Sequence, residues 1–190
     1  MANWCNTAYV IEGDAKELND LYKLMKELEE REQMPEENSS GMTWLGYLVD
    51  VLGGDRNEMQ CRGFWYNLHF DGKLIRFDTT TIWISCNTVF DLAGEKFPTL
   101  RYYYQAEEHG MAQYWSNDKE GKYFPDKYIV DLVTPNGEWL ASYFTNLTEV
   151  FESLEEMTGL SVKSQQDVDK LVKQWHKENS NAYCHIHEFM

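Results

Sequence analysis

Four groups of residues have types and spacings that can do chemistry. In Cys184-His185-Ile186-His187-Glu188 the two histidines stand two apart. On a strand that spacing points both imidazoles to one face, where His185 and His187 can offer two nitrogen ligands to a cation, with Cys184 and Glu188 facing the other way. Two ligands do not complete a metal site, and edge-strand histidines have the same spacing. In Glu107-Glu108-His109 a pair of carboxylates and an imidazole precede Gly110. Such a cluster can do acid–base work if it lies in a pocket that shifts its pKa values; a polar turn is the simpler expectation.

The third group is Arg62-Gly63-Phe64-Trp65-Tyr66. It has the basic-glycine-aromatic order of a strand that stacks single-stranded RNA, with Ala8-Tyr9-Val10-Ile11 as a partner strand. Trp65 and Asn67 stand where that motif takes a small and an aliphatic residue, which argues for a core face instead. The fourth group is the acid. The chain of 190 residues has 17 Lys+Arg and 32 Asp+Glu, a formal charge of −15. Residues 12–37 hold ten acidic and four basic side chains, and residues 149–169 hold six and one. Solvated helix faces account for such runs; a row of carboxylates that imitates DNA phosphates is the alternative. A charge of this sign disfavours direct nucleic-acid binding and anionic membranes, since phosphate needs a basic face.

These residues must be positioned by elements with clear signatures. Residues 4–12 read as a strand ended by Gly13. Asp14 with Glu17 forms a capping-box pattern ahead of Leu18, Leu21, Met25 and Leu28, which repeat at helical spacing. Residues 29–41, with Pro35 and Ser39-Ser40-Gly41, read as a polar connection. A short helix is expected over 43–52. Phe64, Tyr66, Leu68 and Phe70 alternate with Trp65, Asn67 and His69 before Asp71-Gly72 turns the chain into 74–77, a hairpin. Asn87 is placed to cap a helix that Pro98 stops, and 100–107 reads as a strand. This order predicts an α+β fold with a ferredoxin-like split βαβ half over 1–108. Over 109–190, strands at 111–116, 127–133 and 138–144, helices capped by Asn146 and Ser164, and a strand at 182–189 are expected to extend that mainly antiparallel sheet and share its core, with the helices on one face.

Asn3-Trp4-Cys5, Cys61-Arg62-Gly63, Thr81-Ile82-Trp83 before a helix ending in Lys96-Phe97-Pro98, and Tyr104-Gln105-Ala106-Glu107-Glu108-His109-Gly110-Met111 together resemble the YubB-type ferredoxin-like proteins of bacterial phages, plasmids and conjugative elements. The resemblance spans residues 1–135. It implies a ferredoxin-like fold and a mobile-element origin, and it carries over no catalytic residue and no cofactor.

The four cysteines show no CxxC spacing and read as reduced core thiols; with no apolar run near ~18 residues and no leader-like start, a cytoplasmic protein is expected. Seven Trp and twelve Tyr favour interfaces. The sequence therefore points to an accessory or protein-interaction module, with a protein partner and no cofactor. Trp65, Asn67 and His69 on the hairpin, with Tyr103, are the candidate partner-binding residues. The alternatives are an acidic DNA mimic or anti-defence protein, and a metal-dependent or acid–base enzyme using the His/Glu clusters.

Overall fold

A computed structural model describes residues 3–32 and 41–190. The expected connection at Pro35 and Ser39-Ser40 lies outside the described residues. The chain is α+β and divides into two compact units, 1–118 and 119–190, each with its own antiparallel sheet and its own cluster of buried side chains. Among the described residues no helix is long and apolar enough to cross a membrane.

In the first unit, β1 (Trp4–Glu12) leads to α1 (Ala15–Glu29) and α2 (Leu45–Leu52). Then follow β2 (Gly63–Phe70), β3 (Leu74–Ile82), α3 (Asn87–Lys96), β4 (Arg101–Glu108) and the short β5 (Gln113–Ser116). The sheet order is β2-β3-β1-β4-β5. Strand β1 is central, paired with β3 on one side and β4 on the other; Cys5, Thr7, Tyr9 and Ile11 are buried on one face, and Val10 is buried on the other. Helix α1 lays Leu18, Leu21, Met25 and Leu28 into the same core, as their spacing predicts. Its cap differs from the expected box. Asp14 accepts from the Lys16 amide, but Glu17 accepts from both the amide and the hydroxyl of Thr99, whose Oγ1 in turn accepts the Asp14 N–H. A residue far along the chain thus completes what a local pattern suggested.

Two further expectations are corrected. Cys86, not Asn87, precedes α3, without a side-chain cap; Asn87 is the first helical residue and its Oδ1 accepts the Tyr9 hydroxyl at 2.7 Å. The hairpin also has the opposite phase over its first half. Trp65 points into the core and is fully buried, while Tyr66 is exposed. The cause is a β-bulge: Tyr66 pairs with Asp78 but His69 with Arg76, so β2 uses one more residue than β3 over that interval, and Asn67 takes φ 55°. Past the bulge Leu68 and Phe70 turn inward, beside the same core that Trp65 entered. Gly63 is required at the start of β2, since a Cβ there would lie 2.3 Å from the Thr80 carbonyl oxygen.

The second unit contains β6 (Tyr128–Val133), β7 (Trp139–Phe144), α4 (Leu147–Thr158), α5 (Gln165–Trp175) and β8 (Tyr183–Glu188). These strands form a separate sheet, ordered β7-β6-β8, so of the late strands only β5 extends the first sheet, where extension by all of them was expected. The helix caps are as the sequence predicts. Asn146 accepts from the Glu149 amide and Ser164 from the Asp167 amide. Lys170, the Ser164 hydroxyl and the Lys163 amide hold the Asp167 carboxyl down at about 2. That contribution to folding is fully present above the ordinary carboxylate pKa and is lost as pH falls toward 2. Val130, Leu132, Val150, Leu154, Val168 and Leu171 are the centre of this core.

The reversed hairpin phase predicts unequal costs for two neighbouring truncations. Trp65→Ala should lose about 3–5 kcal/mol in denaturant unfolding, the cost of emptying a buried aromatic site. Tyr66→Ala should stay within about 1 kcal/mol of the parent. Equal losses would show that the bulge does not set the phase.

Candidate functional site

The four residues expected to bind a partner are not brought together. Trp65 is in the core, its Nε1 donating to Glu29 Oε1 at 3.1 Å, so it cannot meet a partner. Asn67 occupies the bulge and donates to Asp78 Oδ2 at 2.8 Å. His69 and Tyr103 do share a face: they stand at the ends of one cross-strand row, His69, Arg76, Val10 and Tyr103, on the side of the sheet opposite Tyr9. The Tyr103 hydroxyl donates to Glu12 Oε1 at 3.0 Å. Phe64 and Tyr66 lie on that outer face too, 6.0 Å apart between ring centroids.

Strand alternation also splits the Glu107-Glu108-His109 cluster. Glu108 is buried on the core side and accepts from the amides of Gly110 and Met111 at 2.9 and 2.8 Å, which fastens the 3-10 turn His109–Met111. Its task is structural, since both carboxylate oxygens satisfy backbone donors that a short turn leaves unpaired. Glu107 faces outward and forms a chain with the turn. Its Oε2 lies 3.3 Å from His109 Nε2, and His109 Nδ1 lies 3.1 Å from the Tyr114 hydroxyl. A carboxylate, imidazole and phenol in series can pass a proton, but the phenol end, Tyr114, is buried, and the imidazole is open to water.

The second sheet gathers more. The face turned away from the core of its unit is a grid of three strands by three rows: Trp139, Val133 and Tyr183; Ala141, Asp131 and His185; Tyr143, Ile129 and His187, of which Ile129 is fully buried while Trp139, Ala141, Tyr143 and His185 are exposed. Asp131 is the centre. Its Oδ1 accepts the Trp139 indole N–H at 2.7 Å and the Tyr183 hydroxyl at 3.2 Å, so rings from both neighbouring strands lean over one carboxylate. The Tyr183 ring is stacked on His185 at 4.9 Å between centroids, and His185 meets His187 edge-on at 5.8 Å. Burial, then the Asp131 charge, pushes the Tyr183 phenol upward, which keeps it a donor. On the opposite face burial, again reinforced by Asp131, pushes the Cys184 thiol up to about 12.

His185 and His187 therefore do share a face as their spacing predicts. No group of three His, Cys, Asp or Glu side chains placed to hold a metal ion occurs among the described residues. Sequence reading missed Asp131, Trp139, Tyr143 and Tyr183 as members of this face. A signal existed: Asp131 is the one charged residue within the apolar Tyr128–Val133 strand, two places from Val133 and Ile129. The most exposed large side chain of the grid is Trp139 at 63%, followed by Tyr143 at 46%.

Part of the acid is structural. Glu17 holds Thr99, Glu29 joins Lys26 to the Trp65 indole, and Glu149 accepts from Thr145 and Asn146 at the start of α4. No protein-family model, curated protein or solved structure matches the chain.

Zinc added to the protein should leave its melting temperature unchanged relative to a chelator control. A rise that His185→Ala and His187→Ala both abolish would instead establish a metal site. The four cysteines are free and buried, and burial pushes the Cys86 thiol up to about 12 like that of Cys184. A colorimetric thiol reagent at pH 8 should react slowly with the native protein and with all four thiols after unfolding; fast native reaction would contradict this burial.

Proposed function

We propose that this chain is a protein-interaction module, and that its partner meets the outer face of the second sheet. The observation that carries the reading is the grid around Asp131, where Trp139 and Tyr143 are strongly exposed although Asp131 orients the Trp139 indole. Large aromatic rings held in place by a hydrogen bond lose little conformational freedom on binding, which is why Trp and Tyr dominate interface anchors. The exposed His185 on its Tyr183 base continues the same surface.

The finer fold reading belongs to the same proposal. A ferredoxin-like first unit is supported by the order β4-β1-β3-β2 with every neighbour antiparallel, and by helices in the connections from β1 to β2 and from β3 to β4. An accessory role on a bacterial mobile element rests on the resemblance to YubB-type proteins. Four free, buried cysteines support a reducing, cytoplasmic setting.

A double variant, Trp139→Ser with His185→Ser, keeps the core-facing side of the sheet intact. Immobilised wild type should retain from a bacterial lysate at least one protein that the folded double variant retains about tenfold less, the loss of one modest anchor contact. Identical retained sets for the two baits would sink the reading.

A further inference from the structure

Each sheet edge but one has a device that discourages pairing with another strand. Strand β2 is interrupted by the bulge at Asn67, β5 is four residues long, and β8 carries His185, His187 and Glu188. Strand β7 has none. Its sequence, Trp-Leu-Ala-Ser-Tyr-Phe, contains no charge and no proline, its register against β6 is unbroken, and among the described residues no strand pairs with its other side. Five of its six residues are exposed.

The direction of its backbone groups follows from the bonds that flank it. The Thr134 N–H donates to the Glu138 carbonyl and the Lys127 N–H to the Phe144 carbonyl, so the even-numbered residues bond toward β6. Alternation then turns the N–H and C=O groups of Trp139, Ala141 and Tyr143 to the open edge. Three outward residues spaced two apart, centred on Ala141, form a self-complementary set. An antiparallel copy related by a two-fold axis at Ala141 pairs Ala141 with itself and Trp139 with Tyr143 on either side, with every outward donor facing an outward acceptor.

We propose that β7 is the dimerisation edge of this protein, and that two copies join their three-stranded sheets into one continuous sheet about Ala141. Three features favour a second copy over a foreign strand. On a two-fold axis identical side chains meet, and alanine, the smallest side chain of β7, stands there. The cross-strand pairs on the outer face are aromatic, Trp139 against Tyr143, a combination that stabilises antiparallel pairs. In a chain of charge −15, self-pairing requires a strip where like charges do not face each other, and Trp139–Phe144 is such a strip. On the flank toward α4, Leu140 and Met157 are exposed at 37% and 40%, apolar surface that the pairing strand covers. The interface is small, so the dimer is reversible, and it tightens as salt screens the acidic helices. This inference deepens the function proposed above, because the joined sheet doubles the aromatic outer face offered to a partner.

Sedimentation equilibrium of the whole chain tests it. The mass should rise from 22.4 kDa toward twice that value with concentration, and more readily in high salt. Ala141→Pro removes only an N–H that points away from β6, so the variant should keep its circular dichroism and stay at 22.4 kDa. As a second measure, Ala141→Cys should form an intermolecular disulfide under mild oxidation, since opposed Cα atoms in such a pair lie within disulfide reach, whereas Trp139→Cys should not. The native cysteines are buried and give little background. A wild type that remains at 22.4 kDa at its highest soluble concentration in high salt, or a dimer unchanged by Ala141→Pro with no Ala141→Cys cross-link, overturns the proposal. A monomer that still retains Trp139-dependent proteins from lysate overturns the self-pairing alone; a dimer without such proteins overturns the partner-binding reading alone.

Discussion

The first unit depends on what Tyr9 does at the middle of its central strand. Its ring is stacked on Phe77 at 5.1 Å and tilted against Phe90 at 4.4 Å, so one side chain joins β1, β3 and α3. Its hydroxyl, too deep for water, needs a partner, and Asn87 at the first position of α3 supplies one. Burial pushes the phenol well above its ordinary pKa, so it stays a neutral donor. This bond explains why Asn87 does not cap its own helix: its side-chain oxygen is already engaged, and a buried unpaired hydroxyl would cost more than a missing cap. The helix is thereby held against the sheet at its first turn, and β4, which follows it, pairs on the far side of β1 with Tyr104 beside Tyr9.

The second unit has a polar counterpart. Asp131 sits on a strand that is otherwise apolar, and it faces outward between two neighbouring strands. The indole of Trp139 and the phenol of Tyr183 both donate to it, which turns two large rings into parts of a fixed surface. An acid at that place organises aromatics at the surface, with His185 and His187 on the same face. The unguarded edge of β7 adjoins the same surface, so ring orientation and edge geometry belong to one region of the fold.

Local chemistry in the sequence determined much of this protein. The strand from Trp4 to Glu12, the helical repeat of Leu18, Leu21, Met25 and Leu28, and the caps at Asn146 and Ser164 were legible because each depends on residues a few places apart. So was the sharing of a face by His185 and His187, since a period of two needs no tertiary information.

The tertiary structure decided what depends on distant residues or on one unusual backbone angle. Asn67 at φ 55° adds a residue to β2 and reverses which aromatic is buried, so Trp65 left the candidate surface and entered the core. Thr99, just ahead of the neighbouring strand β4, completes the cap of α1, and Glu108 is committed to a turn because strand alternation separates it from Glu107. Which strands share a sheet was likewise decided by pairing energies between segments far apart in the chain: alternation says which face a residue takes but not which neighbour its strand will find. For that reason the aromatic surface appeared on Trp139, Tyr143 and Tyr183, around an aspartate whose role is set by the strands on either side of it.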